Sequence, residues 1–158
     1  MEWIFGAFLV VSMLHMGEEY FYPGGFMDVM KRLNPRFAPA VTVPMAVVIN
    51  GLQLVLCIVA VVVGKGAPVF NMSVAGLLLI NGIVHVMACL RVRGYAPGVV
   101  SGVLLYIPLA AYGYVLFIGS GRLTMNQAIF TGVLGLLYQA VPIGYLVAMS
   151  PMMRSRKG

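Results

Sequence analysis

Charge is what this chain has least of. Charged residues make up 9% of its 158 residues, only four of them are Asp or Glu, and the mean hydropathy is +0.99. Soluble globular chains carry about a quarter charged residues, so the composition excludes a single water-soluble core. The scarcity of polar side chains indicates that most of the folded surface faces lipid.

Paired cysteines and concentrated basic charge are also missing. Cys57 and Cys89 lie in separate apolar stretches, so a disulfide between them is not expected. The net charge of +6 comes from ten Lys and Arg residues that are scattered singly or in short groups. This scatter is typical of membrane flanks and argues against a nucleic-acid-binding surface. No serine-histidine-aspartate arrangement, phosphate loop or cysteine-pair metal motif is present.

Long apolar runs are what the chain has instead. Five stretches approach or exceed the roughly 20 residues that a helix needs to cross the hydrocarbon core of a bilayer, and no alternating strand pattern competes with them. We therefore expect an all-α integral membrane protein with a single transmembrane domain over residues 1–158. The predicted spans are residues 3–22, 39–63, 68–90, 97–119 and 127–149.

Proline and the apolar spacing add local detail. Prolines at 39, 68 and 97 are predicted to open helices, because the first turn needs no N–H from them, and those at 108 and 142 predict kinks. Between the first two spans, Phe26, Val29, Met30 and Leu33 recur at helical spacing. This spacing predicts a short helix lying on the membrane surface.

The distribution of Lys and Arg between the loops predicts the orientation. One side holds the first and third connections and the C-terminal tail, while the other side has only Lys65 and Arg122. We expect an outer N-terminus, a cytoplasmic C-terminus and a bacterial inner membrane as the location. The basic residues of the predicted cytoplasmic side are Lys31, Arg32, Arg36, Arg91, Arg93, Arg154, Arg156 and Lys157.

The few ionisable residues within the spans are the candidate site, because such groups cost roughly 2.5–3.5 kcal/mol at the membrane centre and are usually functional and partnered. His15, Glu18 and Glu19 form a His-x-x-Glu-Glu motif whose i, i+3 and i+4 spacing puts both carboxylates beside the imidazole. His85 and His15 lie at similar distances from the inner ends of their spans. At 1.5 Å per residue their depths differ by only roughly 3 Å.

Two asparagines complete the predicted pocket. Asn81 precedes His85 by one helical turn, and Asn50 is expected near mid-membrane. Each is followed by glycine, a pair that signals a turn in soluble proteins, but both pairs lie within apolar spans and a turn is not expected. We expect spans one, two and three to share one polar pocket in which Asn50 and Asn81 hold a ligand or a bound substrate.

Several chemistries suit this pocket. Two imidazoles and one or two carboxylates can bind zinc or non-haem iron, with a spare glutamate as acid or base. Glu18 and Glu19 in a low dielectric could also share a proton, which suits proton relay or metal-free isomerisation. A further interpretation is that both glutamates simply face headgroups, because Tyr20, Phe21 and Tyr22 follow them.

The motifs, taken in order, resemble a known family. His15-Met16-Gly17-Glu18-Glu19, a second histidine in Asn81-Gly82-Ile83-Val84-His85, and Tyr95-Ala96-Pro97-Gly98 are similar to the signature of the HXXEE-domain family of bacterial membrane proteins. The likeness covers about residues 10 to 110. It implies that His15, Glu18, Glu19, His85, Tyr95, Pro97 and Gly98 are the functional positions, and it implies no reaction, since the family is uncharacterised.

The leading hypothesis is a membrane-embedded zinc- or iron-dependent enzyme that acts on a lipid or apolar small molecule from the cytoplasmic side. His15, His85 and Glu18 or Glu19 would be the ligands, and Tyr95 would lie near the substrate. The alternatives are a proton-coupled transporter and a metal-free isomerase of a sterol-like or polyprenyl substrate. The expected partners are the lipid bilayer, an apolar substrate and further copies of the chain. Binding to nucleic acid is not expected.

Overall fold

All the regular secondary structure in the described part of the chain is helical, so the expected all-α class is confirmed. The computed structural model describes residues 2–21 and 25–155. The predicted end of the first span at Tyr22 and the basic residues Arg156 and Lys157 lie outside the described residues. The helices are α1 Trp3–Phe21, α2 Gly25–Leu33, α3 Val43–Val63, α4 Pro68–Val92, α5 Val99–Ser101, α6 Ile107–Gly119 and α7 Met125–Ser155, with a 3₁₀ turn Gly64–Gly66 after α3 and a π-helical turn Gly102–Tyr106 between α5 and α6.

Four segments are long and apolar enough to cross a membrane, and they correspond to the second to fifth predicted spans. α1 does not join them within the described residues, because His15, Glu18 and Glu19 lower the hydropathy of its last turns. The first span and the surface position of α2 therefore stay predictions. The four candidate spans are Val43–Gly66, Pro68–Val92, Val99–Gly119 and Met125–Ser150.

Helix starts are where the sequence predictions and the structure differ. Pro68 opens α4 as predicted, but α3 does not begin at Pro39. It begins at Val43, because the Thr42 hydroxyl caps it by accepting a hydrogen bond from the Met45 amide at 3.4 Å. The fourth predicted span begins at Val99 instead of Pro97, after a glycine whose backbone φ is +94°.

The two prolines that were predicted to kink their spans, Pro108 and Pro142, have different surroundings. A π-helical turn ends at Tyr106, directly before the stretch that holds Pro108, where one backbone N–H is missing. α7 continues through Pro142 to Ser155, so this proline does not end the helix, and α7 is longer than the predicted span.

Close backbone approaches place α4 at the centre of the bundle. A Cβ on Gly135 of α7 would fall onto the backbone of Gly76, and a Cβ on Gly82 would lie 3.1 Å from the Gly102 carbonyl oxygen. The first contact requires glycine, and the second would require the Gly102 backbone to move by a few tenths of an ångström. At the end of α4, Val29 of α2 packs with Ala88 and Ala96. α4 therefore holds its polar residues against α1, α2 and the turn before α6.

Candidate functional site

Two buried histidines meet where α1 packs beside α4. The ring centroids of His15 and His85 are 4.6 Å apart, the rings stand edge to face at 83°, and each residue is 1% exposed. The structure thus brings together the only two histidines in the chain.

Glu19 joins this pair one helical turn after His15. Its Oε1 atom is 3.1 Å from His85 Nε2 and 3.8 Å from His15 Nε2, and the residue is buried. One ligand atom from each of the three residues lies within 4.8 Å of the other two. His15, Glu19 and His85 could therefore hold a metal ion.

Hydrogen bonds at the far side of each ring determine which nitrogen faces Glu19. His85 Nδ1 lies 2.8 Å from the Pro97 carbonyl oxygen, which only accepts, so Nδ1 donates. His15 Nδ1 lies 2.8 Å from Ser101 Oγ, whose hydrogen is donated at 2.5 Å to Glu18 Oε2. His15 Nδ1 must then donate as well. In the neutral rings, both Nε2 atoms carry a lone pair and face Glu19.

Glu18 lies apart from the three clustered ligand groups. Its carboxylate accepts hydrogen bonds from the Tyr95 hydroxyl at 2.5 Å, the Val100 amide at 3.1 Å, and the amide and hydroxyl of Ser101 at 2.8 and 2.5 Å. Successive helical residues point about 100° apart, so Glu18 and Glu19 reach different partners. Glu18 orients His15 through Ser101 and is not among the groups that could hold the metal.

A shared cation is needed at the centre of the site. Nε2 of a neutral His85 ring and Oε1 of the Glu19 carboxylate are both hydrogen-bond acceptors, yet they lie 3.1 Å apart. A proton or a metal ion must therefore lie between them. One proton would satisfy this pair alone, since His15 Nε2 is buried with no hydrogen-bond partner among the residues that the structure describes. A buried acceptor left without a partner costs about 1–3 kcal/mol.

A metal ion suits all three groups. Zinc binds imidazole nitrogen and carboxylate oxygen at about 2.0–2.2 Å, so tetrahedral ligand atoms lie about 3.3 Å apart. The two distances to Glu19 Oε1, 3.1 and 3.8 Å, bracket that spacing. Two imidazoles and one carboxylate leave at least one coordination position open, which is typical of catalytic sites and not of structural ones.

The two asparagines border the site from different sides. Asn50 of α3 donates from Nδ2 to Glu19 Oε2 and lies within the same distance, 3.1 Å, of the Tyr20 hydroxyl oxygen. It fixes the carboxylate that faces the histidines. Asn81 of α4 donates to Gln139 at 3.4 Å and lies beside the His15 ring.

Three residues of the Tyr95-Ala96-Pro97-Gly98 stretch contact the site. Tyr95 binds Glu18, and Pro97 accepts from His85. A Cβ on Gly98 would overlap the His85 ring and lie 3.0 Å from His15 Cε1. Gly98 therefore gives both rings room while its backbone turns at positive φ.

Three further residues build the site without having been predicted as site residues. Ser101 links His15 to Glu18, the buried Tyr106 ring stacks on His15 at 4.3 Å, and the Phe26 ring lies 4.2 Å from that of His85. One signal was available, since Ser101 is the only serine in the predicted span 97–119. Tyr106 depends on the π-helical turn, which the sequence does not predict.

A cavity gives access to the group formed by His15, Glu19 and His85 from one end of the bundle. It has a volume of about 130 Å³ and lies where the ends of α1 and α2 meet α3. Glu19 and Asn50 form its polar wall, and Phe26, Met27 and Ala46 form its apolar wall. The carboxylate can thus be approached without unpacking the two histidines.

Fold and site together define a helical membrane-type protein with a buried histidine-glutamate-histidine group. The model of the family described as "Protein of unknown function with HXXEE motif" matches residues 6–113, and the chain belongs to this family. The resemblance expected from the motifs is thereby confirmed. No curated protein and no solved structure matches the chain.

Proposed function

We propose that the protein is a metal-dependent membrane enzyme whose centre is held by His15, Glu19 and His85. The observation that carries the proposal is the convergence of two lone-pair Nε2 atoms on one buried carboxylate, with His15 Nε2 lacking any other described partner. A bound divalent zinc or iron ion would supply Lewis-acid or redox chemistry at the open position.

The surroundings of the ligands support a site built for a metal. Metal-binding histidines usually donate their other ring nitrogen to a carbonyl, a carboxylate or water, which fixes the ring and raises its basicity. His85 does so to Pro97, and His15 does so to Ser101, which is itself bonded to Glu18. Glu18, Ser101 and Asn50 are therefore positioning residues.

The position of the site within the bundle supports the proposal that the substrate is apolar. The site is buried inside a bundle with four candidate membrane-spanning segments, and its cavity beside Glu19 is walled largely by apolar residues. An enzyme that acts on a lipid or another apolar small molecule would receive its substrate through such walls. The predicted orientation places this end of the bundle on the cytoplasmic side.

Elemental analysis of purified protein tests the proposal. We expect about one zinc or iron ion per chain in the wild type. His15→Ala, His85→Ala and Glu19→Gln should lose it, because each removes one of three ligands. Glu2→Gln is the matched control, since Glu2 is exposed and paired with Lys65 at 3.8 Å, at a distance from the site along α1.

Thermal unfolding in detergent separates ligand loss from loss of fold in these variants. Wild-type protein without any transition metal, or a Glu19→Gln variant that keeps the full metal content, would refute the proposal. The two other hypotheses differ in their responses. A proton-coupled transporter would carry substrate into proteoliposomes under a pH gradient, and a metal-free isomerase would keep its activity after chelation.

A further inference from the structure

Buried acceptor atoms without a hydrogen-bond partner are few in the described part of the chain, and two of them are neighbours. The three such side-chain atoms are His15 Nε2, Asn71 Oδ1 and Asn81 Oδ1. Burying an acceptor without a donor is costly, so each of these atoms requires an explanation. His15 and Asn81 adjoin, because the Asn81 side chain lies beside the His15 ring.

The other contacts of these two side chains determine which atoms face each other. Asn81 Nδ2 is directed to Gln139 Oε1 at 3.4 Å, which leaves Oδ1 for the His15 ring. His15 Nδ1 donates to Ser101, which leaves Nε2 for Asn81. In the neutral ring both atoms are acceptors, and two acceptors cannot bond to each other. A cation beside them would remove this conflict.

The same conflict exists between Glu19 and His85. Glu19 Oε1 lies 3.1 Å from His85 Nε2 and 3.8 Å from His15 Nε2. Asn81 precedes His85 by four residues on α4, so their side chains lie on the same face of that helix. Asn81 Oδ1 is therefore the fourth acceptor of one buried cluster, to which α1 and α4 contribute two atoms each.

Asn71 shows that an unpaired amide oxygen alone does not indicate a metal site. It is a fully buried residue of the same helix, and its Nδ2 donates to the Gly64 carbonyl at 2.5 Å. It lies ten residues before Asn81, about 15 Å along the helix axis. The described residues around it include no group of three His, Cys, Asp or Glu side chains that could hold a metal ion. Asn81 differs because two imidazoles and a carboxylate adjoin it.

We propose that Asn81 Oδ1 is a fourth protein ligand of the metal ion held by His15, Glu19 and His85. This inference rests on the proposed function, since it completes the same centre. The opposite orientation of the amide would aim an N–H group at the cation and is disfavoured once the metal is bound.

A fourth protein ligand changes which ion suits the centre. Four protein ligands fill a tetrahedral zinc site, whereas a six-coordinate ion such as Fe²⁺ keeps two positions for a substrate. Carbonyl oxygen also suits harder ions such as Mn²⁺ better than it suits zinc. Asn81 therefore favours an iron-type centre with more than four ligands.

Cobalt spectra of the full-length protein in detergent test the number of ligands. Tetrahedral Co²⁺ absorbs visible light much more strongly than six-coordinate Co²⁺, because a centrosymmetric ligand field weakens its d–d bands. We expect weak bands in the wild type. Asn81→Leu should strengthen them several-fold, because leucine supplies no ligand and excludes water from that position. Intense tetrahedral bands that are the same in the wild type and in Asn81→Leu would overturn the proposal.

Competition with a chelator measures the preference between ions. Asn81→Leu should lower the affinity for Mn²⁺ at least about tenfold and the affinity for Zn²⁺ less, because zinc accepts three protein ligands and one water. Asn81→Asp keeps an oxygen at the same position and should match or exceed the wild-type affinity for Mn²⁺. If Asn81→Asp lost as much affinity as Asn81→Leu, Asn81 would act through its N–H group and the proposal would be wrong.

Two control variants separate ligand loss from general destabilisation. Asn71→Leu makes the same replacement at a buried position of the same helix and should leave the cobalt spectrum and both affinities unchanged. Gln139→Leu removes only the partner of Asn81 Nδ2 and should also keep them. Equal losses in Asn71→Leu and Asn81→Leu would contradict a role for Asn81 as a ligand.

The metal content of the wild type distinguishes this inference from the proposed function. Wild-type protein that binds a metal ion, with an Asn81→Leu variant that binds Mn²⁺ and Zn²⁺ as the wild type does, would remove Asn81 from the centre and leave His15, Glu19 and His85 as its ligands. Wild-type protein that binds none of these ions would overturn both.

Discussion

Replacing Gly98 by alanine tests how closely the backbone packs against the two histidines. The residue has φ +94° and ψ −13°, a backbone conformation that L side chains rarely adopt. An added Cβ would overlap Cε1 and Nδ1 of His85 and lie 3.0 Å from His15 Cε1. Backbone strain and a steric clash therefore act together at this position.

The expected cost is large for one methyl group. A non-glycine residue at strained φ costs about 1–3 kcal/mol, and overpacking a buried site costs about 1–3 kcal/mol. Together they lower the free energy of unfolding by about 2–6 kcal/mol. If His85 swings away instead, its Nδ1 loses the Pro97 carbonyl, which leaves both groups without a partner at a cost of about 1–3 kcal/mol each. Metal affinity should then fall by more than the 10–100-fold typical of losing a supporting hydrogen bond.

Thermal unfolding in detergent and metal content after dialysis against buffered zinc measure these two effects. Gly94→Ala is the matched control, because Gly94 lies in the same loop and an added Cβ meets only Val92 O, at 3.9 Å. We expect Gly94→Ala to behave like the wild type. The packing argument would be refuted if Gly98→Ala unfolded at the same temperature as Gly94→Ala and kept the same metal content.

Three further changes test other parts of the structure. Glu18→Gln should weaken metal binding about 10–100-fold without abolishing it, measured by competition with a chelator, and unchanged affinity would contradict its role in orienting His15. Gly135→Ala should lower the free energy of unfolding by about 1–3 kcal/mol, measured by denaturant unfolding, whereas Gly132→Ala should not, since an added Cβ there meets no described atom within 4 Å. Tyr106→Phe should leave the Gln53 amide short of a partner and cost about 1–3 kcal/mol, yet keep the metal because the ring still stacks on His15; loss of metal would contradict this.

The fold was predictable where it depends on composition and less so where it depends on local hydrogen bonds. Apolar runs indicate α3 to α7 because lipid requires helices with paired backbone groups. The start of α3 was predicted at Pro39 but lies at Val43, because the Thr42 cap and Pro44 together determine it. A proline permits a helix start but does not require one, so Pro39 was a weaker signal than the cap.

The part of the site that depends only on helical geometry was predictable from the sequence. The i, i+4 spacing placed Glu19 beside His15, and the rise per residue placed His85 at nearly the same depth. The direction of Glu18 was not predictable, because i+3 and i+4 both look adjacent to His15 on one helix. Only the packing of Ser101 and Tyr95 against α1 decides between them.

The two glutamates of the His-x-x-Glu-Glu motif have different partners because they occupy adjacent positions of the helix. A single carboxylate could not both face the histidines and accept four hydrogen bonds from Tyr95, Val100 and Ser101. Adjacent helix positions point about 100° apart, so Glu19 can turn to the imidazoles while Glu18 fixes the segment that holds them. The segment returns this support through Ser101, which sets the His15 tautomer. The distant Tyr95-Ala96-Pro97-Gly98 stretch therefore works together with the His-x-x-Glu-Glu motif. Without either one, the Nε2 atoms of the two histidines would not be held towards Glu19.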